Sequence, residues 1–184
     1  MAAPERLRAD DWVGERVGGR WRVVEVLDRW GPGLAFEARD DDRPHEPMRL
    51  LMLPGRPEAL RQTAQRVARC AELLGGDTPV RGAPLLMDVG EAEGVLWLVY
   101  EELEAPSLAD LVDREGPLDE ARVCRLFQQV CEALDEAHRR GVNHGALEPD
   151  SILVTSAGAR FERAWIAGFG LGDDGVMADV RRVG

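Results

Sequence analysis

The spacing of the apolar residues constrains the fold most strongly, because it switches between strand-like and helix-like periods at defined places. Alternating or continuous apolar segments bounded by Gly, Pro and Asp predict strands at 21–26, 34–39, 48–53, 84–89 and 95–100. The third segment is apolar throughout, which is typical of a strand buried on both faces. The first half of the chain therefore predicts a mostly antiparallel five-stranded sheet.

The segments between these strands predict turns, a loop and one helix. Residues 27–33 contain Gly, Pro and Gly in close succession and are expected to form a hairpin turn. The charged, Pro-containing residues 40–47 are expected to form a loop. Residues 57–74 predict a helix with Pro in its first turn, ended by Gly75 and Gly76.

The second half predicts mainly helices. A short helix is predicted at 106–114, and a long helix begins at Asp119 and stops at Gly141. Apolar residues at helical spacing predict the buried face of the long helix, namely Val123, Phe127, Val130, Leu134 and Ala137.

The composition disfavours several classes of partner. The 184 residues include 34 acidic and 23 basic residues, all of the latter arginine, which gives a formal net charge of −11. This charge repels nucleic-acid backbones and anionic membrane surfaces. The N-terminal residues lack the apolar core of a signal peptide, and no segment approaches the roughly 18 apolar residues of a membrane span. We therefore expect a cytoplasmic protein without nucleic-acid or membrane partners.

The sequence gives little support for a metal site. The three cysteines form no CxxC pair and have no histidine at zinc-finger spacing. A cluster of His144, Glu148 and Asp150 is a weaker alternative, because Pro149 and the loop setting give no fixed ligand geometry. No metal is expected.

Two motifs of the second half resemble the catalytic core of eukaryotic-type (Hanks-type) serine/threonine protein kinases. Residues 144–153, His-Gly-Ala-Leu-Glu-Pro-Asp-Ser-Ile-Leu, are similar to the kinase catalytic loop His-Arg-Asp-Leu-Lys-Pro-x-Asn-Ile-Leu, and Gly168-Phe-Gly170 is similar to the metal-binding turn Asp-Phe-Gly. Residues 96–104 resemble the hinge between the kinase lobes. The order of strands, helices and motifs over residues 16–170 is also that of a kinase.

The resemblance implies a two-lobed α+β fold, with an N-lobe of five antiparallel strands plus one helix and a truncated, mainly helical C-lobe. The expected divisions are a polar leader at 1–15, the N-lobe at 16–100, the hinge at 101–106 and the partial C-lobe at 107–184. His144 and Phe169 match kinase positions that stack between the lobes. Residues 178–184 resemble the start of the central C-lobe helix, which leaves an activation segment of only about 171–177.

At the positions where the kinase motifs have catalytic, metal-binding and phosphate-pairing side chains, this chain has different residues. Together they remove the base, the metal ligands and the ammonium group that phosphoryl transfer uses. Aligned with the motifs, the catalytic Asp corresponds to Ala146, the loop Lys to Glu148, the metal-binding Asn to Ser151, the metal-binding Asp to Gly168 and the phosphate-pairing Lys of the third strand to Leu51.

The positions that would hold the nucleotide are also altered. The three glycines of the phosphate-binding turn correspond to Asp28, Trp30 and Gly33, so that only the last glycine remains. Arg49 stands where kinases have the small residue that packs on adenine. The backbone near Glu101 to Leu103 retains the groups that bind adenine in kinases.

The resemblance and these departures from it predict a catalytically inactive kinase-like domain, a pseudokinase, that acts as a protein-binding, scaffold or regulatory module. No catalytic residue, metal or ATP cofactor is expected. One alternative is a nucleotide sensor that binds ATP without turnover. A second is a kinase with non-standard residual activity, in which Asp150, Asp173 or Asp174 compensates. A third is an unrelated enzyme with a dinucleotide-binding turn at 161–172.

A protein partner or a second copy of the chain is expected to cover the helix at 119–140 or the truncated C-lobe. The predicted C-lobe ends before the helices that cover this long helix in kinases. A contiguous apolar patch of several hundred Å² is rarely left exposed to water.

Overall fold

The computed structural model describes residues 7–30, 33–103, 105–156 and 161–172. Six antiparallel strands form the larger sheet, in the order β1-β2-β3-β4-β6-β5. They are β1 (Arg16–Val17), β2 (Trp21–Trp30), β3 (Gly33–Asp40), β4 (Arg43–Pro54), β5 (Leu86–Ala92) and β6 (Val95–Glu101).

Three helices and a small sheet complete the described chain. Helix α1 (Pro57–Gly75) connects β4 to β5, and α2 (Leu108–Glu115) and α3 (Glu120–Arg139) follow β6. Strands β7 (Ile152–Ser156) and β8 (Glu162–Ile166) form a two-stranded antiparallel sheet. Short 3-10 turns occur at Ala9–Asp11 and Pro149–Ser151. The α+β class is as predicted, with helix α1 against the large sheet and the other two helices after it.

Local signals in the sequence explain the helix ends. Pro57 lies in the first turn of α1, where its missing N–H removes no intrahelical hydrogen bond. At the start of α2, the Ser107 hydroxyl accepts from the Asp110 N–H and the Asp110 carboxylate accepts from the Ser107 N–H, which is a capping box. Asp119 caps α3 through the Arg122 N–H.

The sheet differs from the prediction at β5, which spans Leu86–Ala92 instead of 84–89, and in three further places. A sixth strand, β1, pairs with the edge of β2. Residues 27–30 continue β2 instead of forming a turn, because two register shifts against β3 let the strand bend without losing its pairing. Residues 43–47 are strand and not loop. They pair with β3 alone, so the prolines Pro44 and Pro47 lie on a sheet edge, where a missing N–H is tolerated.

The predicted buried face of α3 is confirmed at Val130 and Ala137, with Leu134 packed beside the core, and is wrong at Val123 and Phe127. Leu126, Val130, Ala133 and Ala137 are buried, whereas Val123 is 36% exposed and Phe127 is 43% exposed. The difference comes from the first turn of the helix, where Arg122 and not Val123 faces β8. Its guanidinium forms an ion pair with Glu162, with 2.6 Å between Nη2 and Oε1.

Apolar residues form separate clusters on the two faces of the large sheet and between the helices of the second half. One face packs Leu50 and Met52 with Trp21 and Phe36. The opposite face packs against α1. No helix of the described chain has the length and apolar character that crossing a bilayer requires.

Adjacent substitutions on α3 test the observed face. Leu126→Ala should lower the free energy of unfolding by about 2–5 kcal/mol, because Leu126 is 1% exposed and its removal leaves a cavity. Phe127→Ala should change it by less than about 1 kcal/mol, because much of that ring is already in water. Urea denaturation of both variants measures the difference. Similar losses for the two would contradict the orientation of the helix.

Candidate functional site

Strand β4 presents alternate side chains to the two sides of the large sheet. Leu50 and Met52 pack into the cluster around Trp21, on the side away from α1. Arg49 and Leu51 lie on the opposite side, because successive side chains of a strand point to opposite faces. These two predicted site residues therefore share the face that looks toward α1 and the hinge.

Leu51, at the phosphate-pairing lysine position, is buried in an apolar cluster. It is 1% exposed and packs with Leu60 and Val67 of α1. Leu171, which follows the Gly-Phe-Gly turn, belongs to the same cluster. Apolar contact thus joins the strand, the helix and the turn where kinases have a charged pair.

Polar contacts fix the same turn to β6 and α1. The Gly168 backbone hydrogen-bonds to the Tyr100 hydroxyl, and burial raises the pKa of Tyr100 above its ordinary value. The Gly170 carbonyl accepts a 2.6 Å hydrogen bond from Arg66 Nε of α1. Gly170 has φ +83°, and a Cβ there would lie 3.1 Å from the Val67 Cα, so this close approach favours glycine.

Arg49 crosses from β4 to the hinge. Its Nη2 lies 3.6 Å from Glu102 Oε1 and donates a 3.3 Å hydrogen bond to the Ala105 carbonyl. Both the Arg49 and Glu102 side chains are 13% exposed. The guanidinium therefore lies in the space between the sheet and the hinge.

Two carboxyl groups meet beside this guanidinium. Asp28 of β2 hydrogen-bonds to Asp110 of α2. Burial and this hydrogen bond raise the pKa of Asp28. Burial opposes the ionisation of Asp110, but hydrogen bonds from Ser107 and Asp28 outweigh it and lower the pKa of Asp110. We call Asp28, Arg49, Glu102 and Asp110 the cleft cluster.

His144 is a packed residue of the loop before β7. Its Nε2 lies 2.9 Å from the Ala167 carbonyl, and its Nδ1 accepts from the Ala146 N–H at 3.3 Å. The two contacts are those of a neutral imidazole with its proton on Nε2. Burial lowers the pKa of His144, which favours the same neutral form. The ring meets Phe169 edge to face with 4.9 Å between centroids, the stacking predicted from the sequence.

The side chain at the metal-binding Asn position is used within its own turn. The Ser151 hydroxyl donates to the Glu148 carbonyl at 2.7 Å and accepts from the Glu148 N–H at 3.1 Å. Ser151 is buried, and its carbonyl accepts from the Ala167 N–H. These bonds hold the loop next to β8.

Gly172 lies directly on the loop that corresponds to the catalytic loop. A Cβ at this position would be 2.3 Å from the Gly145 carbonyl carbon and 2.7 Å from the Ala146 nitrogen. The backbone after the Gly-Phe-Gly turn therefore contacts the backbone beside Ala146, the position of the catalytic Asp. Gly168, the last of the altered motif positions, is buried with φ +88°.

The remaining predicted cleft residues have structural contacts. A Cβ on Gly33 would be 2.1 Å from the Met52 carbonyl, so strand pairing requires this glycine. Glu101 Oε1 accepts from the Leu85 N–H at 2.9 Å. Leu103 packs against a cluster that contains Leu153. The Trp30 side chain, Asp173, Asp174 and residues 178–184 lie outside the described parts of the structure, as does most of the predicted activation segment.

Two alternative sites find no structural counterpart. Within the described ranges, no group of three or more His, Cys, Asp or Glu side chains is arranged to hold a metal ion, and this includes the cluster proposed around His144. Strand β8, which precedes the Gly-Phe-Gly-Leu-Gly segment, is antiparallel to β7 in a two-stranded sheet. A dinucleotide-binding turn needs a parallel sheet, so that interpretation is wrong.

Sequence reasoning did not identify Asp110, Tyr100 or Arg66 as site residues. In the sequence, Asp110 fits the third position of a capping box, and this local role gives no indication of a site residue. Tyr100 and Arg66 meet the Gly-Phe-Gly turn through contacts between distant parts of the chain, 68 and 104 residues apart in sequence. No local pattern carries that information.

Comparison with known proteins places the chain beside bacterial kinases, although no family model matches it. Serine/threonine-protein kinase pkn3 of Myxococcus xanthus is 32% identical over 150 residues, 79% of this chain and 26% of that protein. Serine/threonine-protein kinase PknD of Mycobacterium tuberculosis is 30% identical over 153 residues, 83% of this chain and 22% of that protein. The chain thus spans about a quarter of the length of these relatives.

Solved structures show the same fold. The crystal structure of the Mycobacterium tuberculosis PknI kinase domain matches with a TM-score of 0.68 and 22% identity, over 92% of this chain and 65% of that chain. A double mutant of the same domain matches with a TM-score of 0.72. The predicted kinase-like α+β fold is confirmed.

Restoring the lysine of the third strand should destabilise the protein. Leu51→Lys places an ammonium among Leu60, Val67 and Leu171, so we expect a loss of at least about 3 kcal/mol in the free energy of unfolding. Leu51→Met keeps the volume and should cost less than about 1.5 kcal/mol. Chemical denaturation measures both. A Lys variant as stable as the Met variant would show that a partner for the charge exists in this cluster.

Proposed function

Because the chain is a homologue of bacterial Hanks-type serine/threonine protein kinases and has the fold of their kinase domain, we propose that it is a catalytically inactive kinase-like domain that binds another protein. One observation carries the proposal. Arg49 lies between β4 and the hinge, bound to Glu102 and the Ala105 carbonyl, where the resemblance to kinases places adenine. In this proposal, the Arg49 side chain takes the space that a nucleotide base would need.

The charges of the cleft cluster also disfavour a triphosphate. The cleft cluster holds three carboxyl groups, those of Asp28, Glu102 and Asp110, and one guanidinium, that of Arg49. A triphosphate brings several negative charges, and Glu102 and Asp110 repel them at close range. Ordinary kinases offset these charges with an ammonium and metal ions. Leu51, Ser151 and Gly168 supply neither.

The position of the catalytic base is closed as well. Ala146 has no proton acceptor in its side chain, and the backbone at Gly172 lies against Gly145 and Ala146. Phosphoryl transfer depends on positioning the acceptor hydroxyl and stabilising charge at this point. Loss of the base, the metal ligands and the lysine together removes several contributions to rate, at tenfold for each roughly 1.4 kcal/mol.

Helix α3 provides the proposed protein-binding face. An apolar groove of about 320 Å³ runs between α2 and α3, and its exposed members are Val112, Val123 and Phe127. Asp113 lines the same groove, and Asp119 and Glu120 lie at the adjoining end of α3. The partner proposed here is an amphipathic helix of another protein with Lys or Arg beside its apolar stripe. A second copy, with its formal charge of −11, is disfavoured.

A nucleotide sensor is the second candidate function, and one observation favours it. The Arg49 Nε is buried and has no hydrogen-bond partner among the described residues. An unsatisfied buried donor costs free energy, and an acceptor atom of a bound base would relieve that cost. In this alternative, ATP binds through the hinge without being hydrolysed.

Titration with ATP distinguishes these functions. We expect the melting temperature of the protein to stay constant in millimolar ATP with and without magnesium, and no radiolabel to reach the protein or a generic substrate. Arg49→Ala should gain a small shift with adenosine, because the variant vacates the base position; Arg69→Ala, an exposed change on α1, is the matched control. An increase in the stability of the unaltered protein that follows RT ln(1 + [L]/Kd), with ATP as the ligand L, would support the nucleotide sensor. Radiolabel transfer would refute the inactive domain.

A designed helical peptide tests the binding face. A peptide with a Leu stripe flanked by lysines should bind the protein at least about tenfold more tightly than the same peptide flanked by glutamates, because of the acidic groove rim. Val123→Ser with Phe127→Ser should abolish binding, and Leu73→Ser, an exposed change on α1, should not. Fluorescence anisotropy measures the affinities. Equal affinity for the two peptides would argue against a basic partner.

A further inference from the structure

A second cavity lies behind the cleft and is separate from the cleft cluster. It has a volume of about 320 Å³ and opens between α1, the loop that follows it and strand β8. Its inner wall consists of core side chains that are almost fully buried, among them Val67, Ile166 and Phe169. The size falls in the range of small-molecule sites, and an apolar wall of this kind is typical of them.

Two arginines line the mouth of this cavity. Arg81 and Arg163 are both exposed, and neither forms an ion pair within the described parts of the chain. Arg163 instead lies over the Trp165 ring, 5.6 Å from its centroid. The same two arginines line the adjoining polar depression, so they stand at the border between apolar and polar surface.

The other arginines near the mouth, and the carboxylate of the cavity wall, are already engaged. Arg140 binds Glu136 at 2.8 Å and also donates to the Thr78 carbonyl. Arg139 binds Asp135 at 2.9 Å. Glu101, the acidic residue of the cavity wall, accepts the Leu85 N–H. Arg81 and Arg163 are therefore the cations available to a ligand at this mouth.

We propose that the cavity binds a small amphipathic carboxylate with a single alkyl chain, such as a medium-chain fatty acid. The chain enters the apolar cavity, and the carboxylate forms charge-assisted hydrogen bonds with Arg81 and Arg163 at the mouth. The volume admits one such chain and excludes a two-chain lipid. The net charge of −11 opposes a multiply charged phosphate more than a single carboxylate.

The cavity lining contains no residue of the cleft cluster, although the cavity shares a wall with the cleft. Its wall includes Tyr100 and Phe169, which contact the Gly-Phe-Gly turn and His144 respectively. Ala71 of α1 also lines the cavity but belongs to none of the apolar clusters. A larger side chain at position 71 therefore extends into the cavity and not into the packed core.

Isothermal titration with decanoate and decanol, below the concentration at which decanoate forms micelles, tests the proposal on the full chain. We expect one saturable decanoate site and binding of decanol that is at least about tenfold weaker. Arg81→Gln and Arg163→Gln should each weaken decanoate binding by about tenfold without affecting decanol. Arg69→Gln, an exposed arginine elsewhere on α1, is the control and should change neither.

A variant that fills the cavity provides a second test of the proposal. Ala71→Phe should abolish binding of both ligands while circular dichroism shows an unchanged fold. The two arginine variants lie on the surface, so they test the proposal even if the Phe variant misfolds. Absence of saturable decanoate binding, equal affinity for decanol and decanoate, or unchanged binding by a folded Phe variant would each overturn the proposal.

Discussion

The alternation of side chains along β4 is the constraint on which the cleft depends. The strand lies between β3 and β6 over residues 48–52, so hydrogen bonds on both sides fix its register. Leu50 and Met52 must then enter the core on one face, which places Arg49 and Leu51 on the other. A slip of one residue would exchange the two sets and bury Arg49 in that core. The arrangement of the hinge and of α1 follows from this register.

Apolar packing replaces an ion pair at the centre of the N-lobe. A buried ion pair loses hydration on both partners, and well-packed apolar residues of similar volume are often as stable or more stable. Leu51, Leu60 and Leu171 provide such packing between β4, α1 and the Gly-Phe-Gly turn. Arg66 adds a hydrogen bond from α1 to Gly170. These contacts hold the helix near the strand.

Most elements of the fold could be predicted because their signals are local. Pro57 marks the start of α1 and the glycine pair Gly75-Gly76 marks its end, and the period of apolar residues marks the strands. The face of α3 could not be predicted in the same way, because Arg122 turns toward Glu162, 40 residues later in the chain. Pro44 likewise indicated a loop, although an edge position lets it remain within a strand.

The same distinction between local signals and contacts of distant residues applies to the candidate site. The altered motif positions could be read from the sequence, since each depends on a short segment. The contact between Asp28 and Asp110 could not be predicted, because these residues come from β2 and α2 and meet only in the folded chain. The opposite shifts in the pKa values of these two carboxyl groups depend on burial and on their mutual contact, which no composition reveals.

The cleft and the cavity share a wall, and this relates the two proposals physically. Tyr100 packs in the cluster with Leu51 and Leu171 on one side and lines the cavity on the other. Phe169 lines the cavity while its ring contacts His144. A ligand in the cavity would therefore contact the two side chains that position the Gly-Phe-Gly turn. Because interiors are close-packed, a displacement of this wall is transmitted to its neighbours and not absorbed in empty space.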